Sequence, residues 1–308
     1  MKRFNHIAVL MGGVSNERDV SLASGKAVAA GLREAGYRVT EVTLDAPCVR
    51  LPDGVDAAFI ALHGAYGEDG GVQAELDRQA VPYTGSGAAA SRLAFDKVLS
   101  KQCFDAHALP TAPWQVLAAT EQAPPFAPPL VIKPPREGSS VGLQWVFATD
   151  AWPAALARAR RVATELLVER YLPGREWTVG ILEGETLPVI QIEAPQDRYD
   201  LEAKYHSNAT RYRVVMPEET PLARTCADLA RRVWDVLGAR GMARVDFRVS
   251  PEGQCAVLEL NTIPGFTRTS LLPKAAAAAG IDFPTLCDRI VRHARCDAVD
   301  ATETCDAP

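Results

Sequence analysis

The sequence predicts an α/β chain that opens with a parallel sheet and turns to antiparallel hairpins further on. Three observations carry this. Strand, helix and strand patterns succeed one another within residues 7–62, the order that builds a parallel sheet. Two later stretches, 177–192 and 243–261, each hold a pair of strand-like runs around a turn sequence, the mark of a hairpin. The 308 residues, 47% hydrophobic and 23% charged, suffice for two or three domains with real cores.

Ile7-Ala8-Val9-Leu10 reads as a short buried strand ended by Gly12-Gly13, and helical periodicity follows from Ser21 to Leu32. Strands are predicted again over 38–44 and 57–62, the second ending at His63-Gly64. Ligands of open α/β sheets bind beyond the carboxyl ends of strands, which makes both glycine-bearing loops candidate site elements. Glu17 and His63 belong to them. A helix-start carboxylate accounts equally for Glu17, and the glycine pair lacks the GxGxxG spacing of a dinucleotide fold.

After the polar hinge Thr84-Gly85-Ser86-Gly87, residues 88–107 read as one helix carrying Asp96, Lys97 and Lys101. A proline-rich connector leads to the strand Leu130-Val131-Ile132-Lys133 and then to Arg136-Glu137-Gly138-Ser139-Ser140-Val141-Gly142. Such a loop can close its backbone over a phosphate while hydroxyl and N–H groups donate to it. Lys133 just upstream favours that over an ordinary turn. Residues 152–164 predict a surface helix, and 166–172 a strand broken by Pro173-Gly174. Backbone groups at that break suit a purine edge, with Glu169 and Glu176 near enough to take an amino group or ribose hydroxyls. The hairpin over 177–192 turns at Glu183-Gly184-Glu185. Residues 194–213, polar and carrying Tyr199, Lys204, Tyr205 and His206, have the length and composition of a lid. Helices are expected over 221–238 and 275–294, and the last dozen residues read as a frayed tail.

The richest stretch is ARVDFRVSPEGQCAVLELNTIPGFTRTS, residues 243–270. Its two alternating runs flank Ser250-Pro251-Glu252-Gly253, and a turn centred between Glu252 and Gly253 sets Asp246 opposite Glu259 and Arg244 opposite Asn261. Facing carboxylates repel, so a cation is expected between them. Two carboxylates and an amide oxygen suit magnesium; a solvated polar face on an edge hairpin fits the same pattern. Beyond the strand, Pro264-Gly265 and then Arg268, Thr269 and Ser270 offer room and donors for an anion.

A net charge of -5 gives no general attraction to nucleic acid or anionic membranes, so any phosphate must be held by local cations. No apolar run approaches membrane-spanning length, and the apolar run after Met1-Lys2-Arg3 ends in a glycine pair rather than a cleavage site. Seven cysteines without a CxxC pair argue for reduced thiols in a cytoplasmic protein.

Ordered along the chain, GGVSNERDVSLASG, IALHGAYGEDGGVQ, PYTGSG, DKVLSK, VIKPPREGSSVG, EAKY, ARVDFRV and LELNTIPGFT resemble the D-alanine–D-alanine ligase family of the ATP-grasp superfamily. The resemblance implies an N-terminal Rossmann-like domain (1–87), then the two lobes of an ATP-grasp fold (88–172 and 173–308). It also implies peptidoglycan precursor chemistry: ATP with two magnesium or manganese ions phosphorylates one D-alanine, and the amine of a second attacks the acyl phosphate. On that basis Asp246, Glu259 and Asn261 hold metal. Lys97, Lys133, Ser139 and Ser140 bind ATP phosphates, with Lys204 closing on the last. Glu169, Arg170, Tyr171, Leu172 and Glu176 line the nucleoside pocket. Glu17 and His63 take the first D-alanine, Arg244 and the Gly265 N–H take the oxyanion, and Ser270 and Leu271 take the second D-alanine. Ser139, Tyr205 and Glu17 form a latch on the lid. A monovalent cation and a homodimer through the first domain complete what the resemblance implies.

One departure is visible in Tyr199-Asp200-Leu201-Glu202, where many relatives carry a second tyrosine at the Leu201 position. An alternative is a D-alanine–D-lactate or other D-amino-acid ligase on the same scaffold; Tyr205 in EAKY favours the dipeptide, although His206 stands beside it. A non-catalytic nucleotide-binding module is the other alternative, and the presence of Asp246, Glu259, Asn261 and Arg244 speaks against it.

Overall fold

Three strands, all feeding loops at one edge, form the first sheet. The computed structural model describes residues 2–194 and 210–297. Strand β1 (His6–Gly12) is buried along its whole length and pairs in parallel with β2 (Arg38–Leu44) and β3 (Ala57–Ile60), in the order β2-β1-β3. The predicted strand over 57–62 stops at Ile60, although the Ala61 N–H still donates to the Leu10 carbonyl at 2.9 Å. Helix α1 (Arg18–Glu34) crosses back over the sheet. The Ser21 hydroxyl fixes its start, accepting from the Gly12 N–H at 2.9 Å and donating to the Ala61 carbonyl at 2.7 Å. Gly25 lets the helix settle on the strand, because a Cβ there would press on Met11. A short helix, α2 (Gly71–Arg78), follows β3.

The helix expected over 88–107 is two helices, α3 (Ala88–Phe95) and α4 (Lys97–Ala106). Asp96 breaks it: the residue is extended, and its carboxylate accepts from the Val98 and Leu99 N–H groups at 3.0 and 3.2 Å. An aspartate that can cap competes with continuing the helix. Lys97 therefore occupies the first turn of α4.

The second sheet is antiparallel, in the order β4-β7-β5-β6: β4 (Trp114–Leu117), β5 (Leu130–Lys133), β6 (Gln144–Val146) and β7 (Leu166–Arg170). Helix α5 (Trp152–Ala159) covers one face through Trp152, Ala155, Leu156 and Ala159. It ends five residues before the expected Thr164, and β7 ends two before Leu172.

The third sheet is also antiparallel, in the order β10-β9-β8-β11-β12. Its strands are β8 (Arg175–Leu182), β9 (Glu185–Glu193), β10 (Arg211–Val215), β11 (Met242–Val249) and β12 (Cys255–Asn261). Residues 211–213, expected within the lid, pair with β9 instead. The rest of the expected lid from 195 to 209, and the expected tail from 298 onward, lie outside the described residues. Helix α6 (Pro221–Val236), capped by Thr220, buries Cys226, Ala230, Val233 and Trp234 against this sheet.

The last expected helix, 275–294, also divides, into α7 (Leu271–Ala278) and α8 (Phe283–Arg292). Gly280 at φ +78° turns the chain, and Asp282 caps α8 by accepting from the Thr285 N–H at 2.8 Å. Phe283, Leu286, Ile290 and Val291 of α8 join the core of the first sheet; each such burial stabilises by about 1.5–3 kcal/mol. The C-terminal helices thus tie the first sheet to the third.

Candidate active site

The hairpin β11–β12 carries the centre. Arg244 pairs with Asn261 and Asp246 with Glu259, the expected partners, although the turn centres on Glu252, with Val249 facing Cys255, and not between Glu252 and Gly253. Beyond that pair the register shifts, so that Phe247 faces Val257 and Leu258 is the extra residue. The expected alternation of Ala256, Leu258 and Leu260 against Val257, Glu259 and Asn261 fails there. Val257 and Leu260 both enter the core, while Leu258 and Glu259 line the cleft between the second and third sheets. A bulge does this by re-aiming one strand relative to its partner.

Each of the two carboxylates has a cationic side chain beside it. Arg244 donates to both oxygens of Asp246, from Nε at 2.8 Å and Nη2 at 2.7 Å. The Thr178 hydroxyl and Asn261 Nδ2 also donate to Asp246, at 2.6 and 3.1 Å. Lys97 Nζ lies 3.1 Å from Glu259 Oε2 and donates to the Glu137 carbonyl at 2.8 Å. Glu259 thereby sits between α4 and the loop after β5.

That loop has the conformation its small residues allow. Ser139 and Ser140 stand at φ +48° and +62°, the two central residues of a tight turn in which the Val141 N–H donates to the Gly138 carbonyl at 3.0 Å. Gly138 has no room for a Cβ, which would strike the Glu17 carboxylate. The Ser139 hydroxyl donates to Glu17 Oε1. Glu17 is the residue at the N-terminus of α1, yet its side chain makes no cap bond. The carboxylate still lies at the positive end of α1, where a negative charge is favoured, so its place at the helix start and its bond to Ser139 hold together.

Lys133 and Lys101 both pair with Glu169, one on each carboxylate oxygen. Glu169 is 2% exposed. Burial pushes its pKa up, but the two ammonium groups outweigh that and hold it down at about 2. For Lys101 burial dominates and lowers the pKa; for Lys133 burial acts downward too, and Glu169 reverses it. Glu169 lines the cleft, but its oxygens serve the two lysines. Lys101, the last residue of DKVLSK, was given no role by the sequence.

Two cavities meet here. The first, between the second and third sheets, is lined by Lys97, Lys133, Ser139, Ser140, Glu169, Arg170, Tyr171, Leu172, Glu176, Asp246 and Glu259. The second opens toward the first sheet and is lined by Glu17, His63, Ser139, Arg244, Glu259, Asn261, Gly265, Ser270 and Leu271. His63, 4% exposed, has Nδ1 at 3.0 Å from the Ile263 carbonyl and Nε2 at 3.2 Å from Ser24 Oγ. It anchors the segment after β12 to the first sheet. Ser270 begins α7, and its hydroxyl accepts from the Thr267 N–H at 3.0 Å. Arg268 departs from the expected anion site: it pairs with Glu34 at 2.6 Å on the surface. Glu68 and Arg248 line the cavities without having been singled out for a role by the sequence. Lys204 and Tyr205 lie outside the described residues.

Two antiparallel sheets facing each other across an acid- and lysine-lined cleft, joined to a parallel sheet at its open end, define the ATP-grasp class. A family model described as D-ala D-ala ligase C-terminus matches residues 103–292. A D-alanine–D-alanine ligase from Acidiphilium cryptum (strain JF-5) is 46% identical over 306 residues, spanning 96% of this chain and 99% of that protein. The chain belongs to the D-alanine–D-alanine ligase family. Another ligase of that name, from Citrifermentans bemidjiense, is 46% identical over 294 residues, spanning 94% of this chain and 95% of that protein. Among solved structures, the Bacillus anthracis D-alanine–D-alanine ligase complexed with ATP superposes with a TM-score of 0.81 at 33% identity, covering 93% of this chain and 96% of that one.

Proposed function

We propose that this chain joins two molecules of D-alanine in an ATP-dependent reaction through a D-alanyl phosphate. One observation carries the reading: the two cavities share Gly138, Ser139 and Glu259, so a nucleotide in the first and a carboxylate in the second would meet at that common wall. Relatives named for this reaction span nearly the whole chain.

The nucleotide lies in the first cavity, with Lys97, Lys133 and the 138–142 loop on its phosphates and Arg170, Tyr171, Leu172 and Glu176 around the nucleoside. Glu169 acts by fixing Lys133. In the second cavity Glu17 takes the ammonium group of the first D-alanine beside His63, and Ser139 holds Glu17 in place. A carboxylate oxygen of that substrate attacks the terminal phosphorus and ADP leaves. The amine of the second D-alanine, its carboxylate at Ser270 and Leu271, then attacks the acyl carbon, loses a proton and expels phosphate. Arg244 and the Gly265 N–H face the oxyanion that forms, where fixed donors lower the barrier most. Lys204 and Tyr205 complete the lid.

Among the described residues no three His, Cys, Asp or Glu side chains converge as a metal cluster. A metal here would therefore meet two carboxylates, Asp246 and Glu259, with Asn261, a hard-oxygen set that fits magnesium, or manganese in its place, and leaves room for phosphate oxygens. When bound, such ions neutralise charge on the moving phosphoryl group. A cytoplasmic location and a homodimer through the first sheet belong to the same reading.

The test is ADP formation with D-alanine alone against D-alanine plus D-lactate, with and without magnesium. Magnesium-dependent turnover on D-alanine alone is expected. Turnover that needs D-lactate would move the chain to the depsipeptide branch.

A further inference from the structure

Arg248 lies on β11 two residues beyond Asp246, and the mechanism above does not use it. Its side chain is 7% exposed, which is costly for a guanidinium unless its N–H groups are matched. They reach three acceptors. Nε donates to the Leu172 carbonyl at 3.0 Å, Nη2 to the Tyr171 hydroxyl at 3.1 Å and Nη1 to the Glu176 carboxylate at 3.3 Å. The guanidinium also lies 5.5 Å from the centroid of the Tyr171 ring.

Those acceptors come from both sides of the break between β7 and β8, and Arg248 lines the first cavity with all three. Pro173 supplies no N–H to the break and Gly174, at φ +110°, supplies no side chain, so neither offers a side-chain hydrogen bond to the cleft wall. A planar fork with five donors can fix that wall from outside.

We infer that Arg248 is the positioning residue of the nucleoside end: it holds Tyr171, Leu172 and Glu176 in the one arrangement that receives a purine nucleoside, and so sets nucleoside affinity separately from phosphate affinity. The inference rests on the ATP reading and deepens it. A bond to a charged group at each of three points explains why an arginine is buried at a site that an apolar residue could fill.

The experiment compares Arg248→Met and Arg248→Lys with the unaltered chain, using adenosine to probe the nucleoside end and inorganic tripolyphosphate to probe the phosphate end as inhibitors of ADP formation. Adenosine affinity is expected to fall about tenfold or more in both variants. Tripolyphosphate affinity and the KM for D-alanine are expected to stay within about twofold. Equal weakening of both inhibitors would mean that Arg248 merely holds the sheets together, and unchanged adenosine affinity would equally overturn the inference. Should the methionine variant not fold, the lysine variant, which keeps the charge but not the fork, carries the comparison. If the unaltered chain forms no ADP from D-alanine, the proposed reaction fails, while thermal shifts with adenosine and tripolyphosphate still decide the role of Arg248.

Discussion

Glu17 and Ser139 are 122 positions apart, and the serine hydroxyl donates a hydrogen bond to the carboxylate. The bond links the parallel sheet to the loop after β5, so the phosphate-binding and substrate-binding elements are held to each other before any lid is considered. Ser139→Ala is expected to lower kcat/KM for D-alanine about tenfold with little change in the KM for ATP. Steady-state kinetics with each substrate varied checks it; a loss confined to ATP would remove Ser139 from the substrate side.

Glu259 stands where the two cavities join and faces Lys97. Glu259→Gln keeps the shape and removes the charge, so turnover is expected to fall by about two orders of magnitude or more while the melting temperature holds. The magnesium concentration needed for half-maximal activity should rise. Activity assayed across a magnesium titration decides it, and wild-type turnover at limiting magnesium would contradict the assignment.

Glu169 between its two lysines gives a pH dependence with a definite sign. Its folded-state pKa of about 2 lies below the ordinary value of 4.5, so the stability it contributes is complete above pH 4.5 and is lost as pH falls toward 2. At neutral pH, Glu169→Gln leaves Lys101 and Lys133 facing each other and should cost about 3–5 kcal/mol. Urea unfolding at neutral pH and at successively lower pH tests both parts: the gap between variant and parent should narrow through that acid window.

Asp96 and Asp282 both cap helices, but only Asp96 adjoins the site. Replacing either by alanine should cost about 1 kcal/mol. Only Asp96→Ala is expected to raise the KM for ATP as well, because it frees the first turn that carries Lys97 and removes the partner of Arg136, 2.6 Å away. Thermal melts alongside ATP kinetics for the two variants separate these effects.

The hairpin itself was legible from two alternating runs around a turn sequence, and Asp246 does face Glu259, but the turn centres on Glu252 and it is the bulge at Leu258 that restores the expected pairing. The bulge was not legible, since an extra residue in a strand leaves no mark in composition. The breaks at Asp96 and Asp282 did leave one: an aspartate ahead of Lys97-Val98-Leu99, and Gly280 shortly before Asp282-Phe283-Pro284. Apolar periodicity ran through both and concealed them. Lys101 and Arg248 escaped for another reason. Their partners lie on other strands, and only the folded arrangement shows that a lysine on α4 meets an acid on β7, or that one arginine serves three acceptors. Strands β4 and β6 went unread because Trp114-Gln115-Val116-Leu117 and Gln144-Trp145-Val146 lack the unbroken apolar run that marks Leu130-Val131-Ile132.

The extra residue at Leu258 has a consequence for how this chain tolerates change. Deleting it would restore plain alternation, with Val257 in the core and Glu259 still opposite Asp246, so that the cleft would lose only the Leu258 side chain. A single lost codon at that point should therefore yield a protein that folds with its acid pair intact, whereas the same loss at Leu260 would turn Asn261 from the cleft toward the core.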